Sequence, residues 1–254
     1  MGHIASPKYP PGRRWKEVVG LVGGGAEVPQ IAAAVLRAGT DGFELAALDP
    51  ALHHAVWLLV RLPRAAKFDD FPAALRGLGL PVHKPPTLFD LTAAVSAQVD
   101  ACRPRTDVSE LAHAAACEVL TTAVGGAADN LFGTTPAEVQ RAVGGFDTPA
   151  RFAGLARQFF ARFTAKHLNF YLDREVGRHL GDRKRFPTLA AHAAFRQALA
   201  DHCHLAAEVV EKIAADWYSK KQFETSGNIP KESAIWFAKH ALEKLTKVLK
   251  REVP

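Results

Sequence analysis

The sequence is poor in cysteine and methionine and has no long apolar run. Of its 254 residues, three are Cys and one is Met. A membrane-spanning helix needs about 18 or more consecutive apolar residues, so we expect none here. A small, odd number of cysteines does not supply a disulfide framework. Cys102, Cys117 and Cys203 therefore favour a reducing compartment, and we expect the protein in the cytoplasm.

Two common catalytic motifs are also missing. The turn Gly23-Gly24-Gly25 lacks the Gly-Lys-Ser/Thr ending of a phosphate-binding loop, and no convincing strand precedes it. The chain contains no Gly-x-Ser-x-Gly motif, which would mark the nucleophile of an α/β-hydrolase. Alternation of apolar and polar residues is nowhere long enough to predict a sheet. These absences argue against two large classes of α/β enzymes.

Helix signals are frequent from Thr87 onward. Thr87, Thr135 and Thr148 stand where N-cap residues are expected, and Pro follows Thr135 and Thr148 at the first helical position. Asp107 with Glu110 begins another predicted helix. One apolar stripe has intervals of three or four residues and lies on one helical face; its members are Phe195, Leu199, Cys203, Ala206, Val210, Ile213 and Trp217. We therefore predict an all-α fold.

The predicted organisation has three parts. Residues 1–14 form a flexible lead-in, residues 15–147 an irregular N-terminal helical part, and residues 148–254 a basic bundle of long antiparallel helices. Within the bundle, helices are predicted over 149–180, over 188–223 and from Pro230 to near the end.

Charge is unequally divided between the two helical parts. Residues 1–147 carry 13 Lys and Arg against 15 Asp and Glu, whereas residues 148–254 carry 19 against 11. A basic helical surface favours an anionic partner such as RNA or DNA. The alternative is that these charges solvate the helices and favour their C-terminal dipoles.

One face of the predicted helix 149–180 changes from apolar to polar along its length. Its Phe residues are followed in the same sector by His167, Tyr171, Arg174 and Arg178. Guanidinium, imidazole and phenol groups together suit a phosphate or carboxylate. We predict an anion or nucleic-acid site from these four residues with Arg183, Lys184 and Arg185 of the following loop. The alternative is that the helix outruns its core and its side chains extend into solvent.

The segment Arg174-Glu175-Val176-Gly177-Arg178-His179 resembles the Arg-x4–6-His signature of the HEPN family of α-helical ribonucleases. The resemblance covers these residues alone and implies that Arg174 and His179 act on an RNA phosphodiester, normally across a dimer interface. Arg162 with His167 and Arg196 with His202 have similar spacings.

Metal and cofactor sites have little support in the sequence. His113 and Cys117 are four residues apart on a predicted helix, but no second pair completes a site. We expect no metal and no cofactor. The favoured hypothesis is a non-enzymatic binding or scaffolding subunit that binds a protein partner or itself, with Trp236 and Phe237 as anchors. The alternative is the HEPN-like ribonuclease.

Overall fold

A computed structural model describes residues 12–102, 105–126 and 135–251. Within these ranges the regular elements are helical, apart from an isolated bridge between Leu180 and Phe186, so the all-α prediction is confirmed. The helices are α1 (Arg13–Gly23), α2 (Val28–Ala38), α3 (Thr40–Leu48), α4 (Pro50–Ala65), α5 (Phe71–Gly77), α6 (Leu88–Asp100), α7 (Asp107–Gly125), α8 (Pro136–Gly144), α9 (Pro149–Val176), α10 (Leu189–Ala206), α11 (Glu208–Glu224) and α12 (Lys231–Lys250).

Threonine side chains begin five of these helices. The hydroxyls of Thr87, Thr106, Thr135, Thr148 and Thr188 each accept a hydrogen bond from a backbone N–H in the first turn of the helix they precede. These bonds satisfy donors that a helix leaves without an internal partner. The local chemistry of the sequence therefore placed these helix starts correctly.

Two helices were missed by the sequence analysis. Helix α1 begins at Arg13, inside the segment expected to be a flexible lead-in, while residues 1–11 lie outside the described residues. Helix α3 begins at Thr40, directly after the cap residue Gly39 of α2. It buries only Phe43 and Ala46, which is too few apolar positions for a helical period to show.

The prediction of one helix over 188–223 was wrong, because the chain bends at Ala207 into α10 and α11. Arg157 of α9 contacts both sides of the bend. Its Nε donates to the backbone carbonyl of His204, and its guanidinium pairs with Glu208 and Glu211 at 3.4 and 2.8 Å. A tertiary contact thus satisfies a carbonyl at the bend, which the apolar period alone could not indicate.

Helix α9 is the centre of the fold. It packs against α7, α10 and α11, and α12 packs against α2 and α4. The buried residues on both sides of residue 147 belong to one hydrophobic cluster. Its aromatic centre is Phe152, Phe159, Phe160 and Phe163 of α9. Among the described helices, none combines the length and apolar character that crossing a bilayer would require.

Candidate functional site

A groove lies between the antiparallel neighbours α11 and α12 and encloses about 710 Å³. Trp217 of α11 and Phe237 of α12 form its floor, with ring centroids 4.4 Å apart and nearly parallel planes. Both rings are buried, and Phe152 of α9 supports them at 6.0 and 6.1 Å. We call this feature the α11–α12 groove.

Trp236 forms the open side of the groove. Its side chain is 56% exposed and stacks on His240 one turn later, at 4.9 Å between ring centroids. Of the two anchors suggested by the sequence, Trp236 is exposed but Phe237 is a core residue with 1% exposure. Two adjacent positions on a helix point about 100° apart, so only one of them can face the core.

The floor of the groove contains an unused hydrogen-bond donor. The indole Nε1 of Trp217 is sealed from solvent and has no hydrogen-bond partner among the residues that the structure describes. Leaving such a donor unsatisfied costs about 1–3 kcal/mol. Because this atom is sealed, the unsatisfied donor belongs to the packed floor and is not presented to a molecule in the groove.

His167 and Tyr171, both predicted to bind an anion, lie inside the core. His167 is 3% exposed, and burial lowers its pKa to about 4, so the imidazole is neutral at pH 7. Tyr171 stacks on it at 5.4 Å between ring centroids. Burial also raises the pKa of Tyr171, helped by Asp107 and Asp41. The two rings therefore supply no positive charge, and they face the cavity between α3, α4, α7 and α9.

Arg178, Arg183 and Lys184 lie in and beside the loop that follows α9. The guanidinium of Arg178 pairs with Glu175 at 3.0 Å and stays largely exposed, and Lys184 Nζ donates to the Arg178 carbonyl. Arg183 has a positive φ of 58° at the loop tip. The backbone N–H of Phe186 donates to the carbonyl of His179 and closes the loop. These cations stand on one short loop, which we call the 178–184 loop.

Arg185 has a different environment. Its guanidinium donates to the backbone carbonyls of Leu21, Val22 and Ala26, at 2.6 to 3.1 Å. It also lies over the ring of Phe195, 5.3 Å from the centroid. The side chain thus holds the C-terminal end of α1 against the C-terminal half, and these contacts use three of its five N–H donors.

The Arg174–His179 pair spans a change of helix type. Helix α9 ends at Val176, and residues Gly177–His179 form a 3-10 turn instead of continuing the α-helix to 180. The ring of His179 packs on Gly23, where an added Cβ would come within 3.1 Å of it. The side chain of Arg174 lies outside the described part of the chain, so the geometry of the pair stays a prediction.

Many basic residues of the C-terminal half have carboxylate partners. Lys166 pairs with Glu118 at 2.5 Å, and Arg196 pairs with Asp173 at 3.7 Å. Lys221 and Lys247 pair within their own helices with Glu224 and Glu243. These ion pairs reduce the local excess of positive charge that the net charge implied.

The cysteine and histidine candidates do not assemble into a metal site in the described ranges: no group of three or more His, Cys, Asp or Glu side chains there could hold an ion. Cys102, Cys117 and Cys203 form no disulfide with one another. Burial raises the pKa of Cys203 to about 12, so it stays a protonated core thiol at neutral pH.

No protein-family model, no curated protein and no solved structure matches this chain. Three features of the described residues bear on function: the α11–α12 groove, the partly open cavity between α3, α4, α7 and α9, and the 178–184 loop. The sequence singled out Trp236 beside the groove and His167 and Tyr171 at the cavity, but it did not reveal the groove or the cavity. Both depend on how the helices pack, and the cavity also needs α3, a helix without a clear period.

Proposed function

We propose that this protein is a non-enzymatic helical binding subunit that receives an apolar segment of a protein partner in the α11–α12 groove. The supporting observation is an exposed Trp236 beside a groove whose floor is the stacked pair of Trp217 and Phe237. Tryptophan is enriched among the residues that dominate protein–protein affinity. What distinguishes Trp236 from other exposed apolar residues, such as Phe89 and Phe223, is its position beside an apolar groove.

The shape of the groove favours an amphipathic helix as the occupant. Two neighbouring antiparallel helices form a channel that suits the apolar face of a third. The rim is charged with both signs, since Asp216 and Glu232 face the same groove as Lys220 and Lys221. Such a rim favours a helix with mixed charges beside its apolar stripe.

A photo-crosslinking amino acid at Ser233, which lines the groove, would identify the occupant in cells. The matched control carries the same amino acid at Phe89, which is 79% exposed on α6. We expect an adduct that forms from position 233 and not from position 89. The adduct identifies the partner for reconstitution from purified components, or shows that it is a second copy of this chain.

In the reconstituted complex, Trp236→Ala should weaken binding by about thirtyfold or more, which corresponds to the roughly 2 kcal/mol typical of a dominant aromatic contact. Phe89→Ala should leave the affinity unchanged. The proposal fails if position 233 gives no specific adduct, or if the complex tolerates Trp236→Ala as well as Phe89→Ala.

A further inference from the structure

A second cavity, independent of the groove, lies where α3, the start of α4, the start of α7 and α9 meet. It encloses about 410 Å³, within the range of small-molecule sites in proteins. Its walls are mostly apolar, with Val108 and Leu111 from α7 and Phe170 from α9. Leu45 and Leu48 of α3 stand at the cavity with 67% and 58% of their surfaces exposed. We call it the His167 cavity.

His167 lies at its inner end, held by three aromatic rings. Phe43 stacks on the imidazole at 4.2 Å between centroids, Tyr171 stacks at 5.4 Å, and Phe163 makes an edge contact at 5.8 Å. This packing fixes the orientation of the ring. The hydroxyl of Tyr171 packs directly on the backbone of Gly42. A Cβ at position 42 would lie only 2.0 Å from that oxygen, so only glycine leaves room for the tyrosine.

The imidazole of His167 is not satisfied inside the protein. Its Nδ1 is sealed from solvent and makes no hydrogen bond to any described residue. A neutral imidazole carries one N–H and one lone pair. Burying an unpaired N–H at Nδ1 would be costly, so the proton is better placed on Nε2. The ring then offers an Nε2–H donor on the side where it lines the cavity.

The other polar groups of the cavity limit the charge of an occupant. Thr106 Oγ1 donates to Asp49 Oδ2 at 2.6 Å, and Asp49 Oδ1 accepts from the backbone N–H of Ala51, so the caps of α4 and α7 satisfy each other. Asp49 and Asp107 bring carboxylates to the wall, and none of the described lining residues is Lys or Arg. This environment disfavours an anion.

We infer that the His167 cavity binds a compact, neutral, largely apolar molecule that carries one carbonyl-type oxygen, which accepts a hydrogen bond from His167. The apolar walls hold the body of the molecule, and the hydrogen bond from His167 orients it. This combination of an apolar enclosure with one or two placed polar groups is typical of small-molecule sites. The inference does not depend on the partner-binding role of the α11–α12 groove.

The test uses three matched probes with one bicyclic skeleton: 1-indanone, indane and indane-1-carboxylate. 1-Indanone carries a carbonyl acceptor, indane carries no polar group, and indane-1-carboxylate carries a negative charge. Binding is followed by calorimetry and by the ¹⁵N resonance of His167 Nε2. We expect 1-indanone to bind about five- to tenfold more tightly than indane, as one net hydrogen bond allows. The carboxylate should bind most weakly.

Two variants assign the site. His167→Phe should bind 1-indanone and indane with equal affinity, because it keeps the ring and removes the donor. Val108→Trp should abolish binding of both probes by filling the cavity while leaving His167 in place. Trp236→Ala, in the distant groove, should change neither affinity.

The inference is overturned if wild-type protein binds neither neutral probe near their solubility limits, or if the carboxylate binds as tightly as the ketone. It is also overturned if the preference for 1-indanone survives in His167→Phe. Should that variant fail to fold, a ¹⁵N shift of His167 with 1-indanone, absent with indane, supports the inference in the wild-type protein, and an unchanged resonance refutes it.

Discussion

The hydroxyl of Thr106 donates a 2.6 Å hydrogen bond to the carboxylate of Asp49, and each of the two residues is the N-cap of a different helix. Asp49 begins α4 and is 7% exposed, and Thr106 begins α7. One bond thus joins the first turns of two helices that are 57 residues apart in sequence. The same pair forms part of the wall of the His167 cavity.

Asp49→Ala should lower the free energy of unfolding by about 2–4 kcal/mol. The change removes the cap of α4, typically worth about 1 kcal/mol, and the charge-assisted bond to Thr106, worth about 1.5–3 kcal/mol. Urea unfolding followed by circular dichroism measures the loss. Thr87→Ala is the control, because within the described part of the chain the Thr87 side chain hydrogen-bonds only to Asp90, inside its own cap. It should cost about 1 kcal/mol.

A double-mutant cycle of Asp49→Ala with Thr106→Val isolates the contribution of the hydrogen bond between the two caps. We expect Asp49→Ala and Thr106→Val to couple by about 1 kcal/mol or more, as contacting residues do. Additive effects, or equal losses in Asp49→Ala and Thr87→Ala, would show that the bond between the two caps contributes nothing to stability.

His167 should make the protein less stable as the pH falls below about 6.5. Its pKa is about 4 in the folded state, because burial disfavours the charged ring, and about 6.5 when the chain is unfolded. Above pH 6.5 the His167 ring is neutral in both the folded and the unfolded state, so it adds no pH dependence to the free energy of unfolding. Between pH 6.5 and 4 only the unfolded state takes up the proton, so the free energy of unfolding falls by about 3 kcal/mol from this residue.

The comparison of wild-type protein with His167→Phe measures that term. Burial also lowers the pKa values of His53, His54 and His204, but these residues are common to both proteins and their contributions cancel. We expect the difference in unfolding free energy to be constant above pH 7 and to grow steadily in favour of the variant down to pH 4. A difference that does not change with pH would mean that the pKa of His167 is the same in the folded and the unfolded protein.

If RNA binds the 178–184 loop, Arg183 and Lys184 should contribute to RNA affinity. Arg185 should instead stabilise the packing of α1. Arg183→Ala with Lys184→Ala removes two loop cations, so the salt dependence of log affinity for single-stranded RNA should become shallower by about 1.4. The helical signal and stability should not change. Arg185→Ala should instead weaken the hydrogen-exchange protection of α1, because three carbonyls at its end lose their donor.

Filter binding at low salt and native-state hydrogen exchange check these two outcomes. Absence of RNA binding by the wild-type protein rules out the nucleic-acid role of the loop. The HEPN-like alternative predicts that the wild-type protein also cleaves the RNA. His179→Ala and Arg174→Ala should then each stop cleavage. Unchanged cleavage in either variant excludes that pair.

The sequence alone determined the fold class and most helix starts. Caps such as Thr87, Thr135 and Thr148 act over three or four residues, and their hydrogen bonds need nothing from the rest of the chain. The apolar stripe over 195–217 likewise identified buried positions, because the helical period holds whether or not the helix bends.

Only the tertiary structure decided which polar side chains meet. The sequence grouped His167, Arg178 and Arg185 in one predicted anion site, but the structure gives them three different environments. His167 is a neutral core residue, Arg178 pairs with Glu175 at the surface, and Arg185 holds the end of α1. At the break at Ala207, the carbonyl of His204 accepts a hydrogen bond from Arg157, which is 47 residues earlier in the chain. Burial and long-range hydrogen bonds set the charge and role of a side chain, and both require the packed chain.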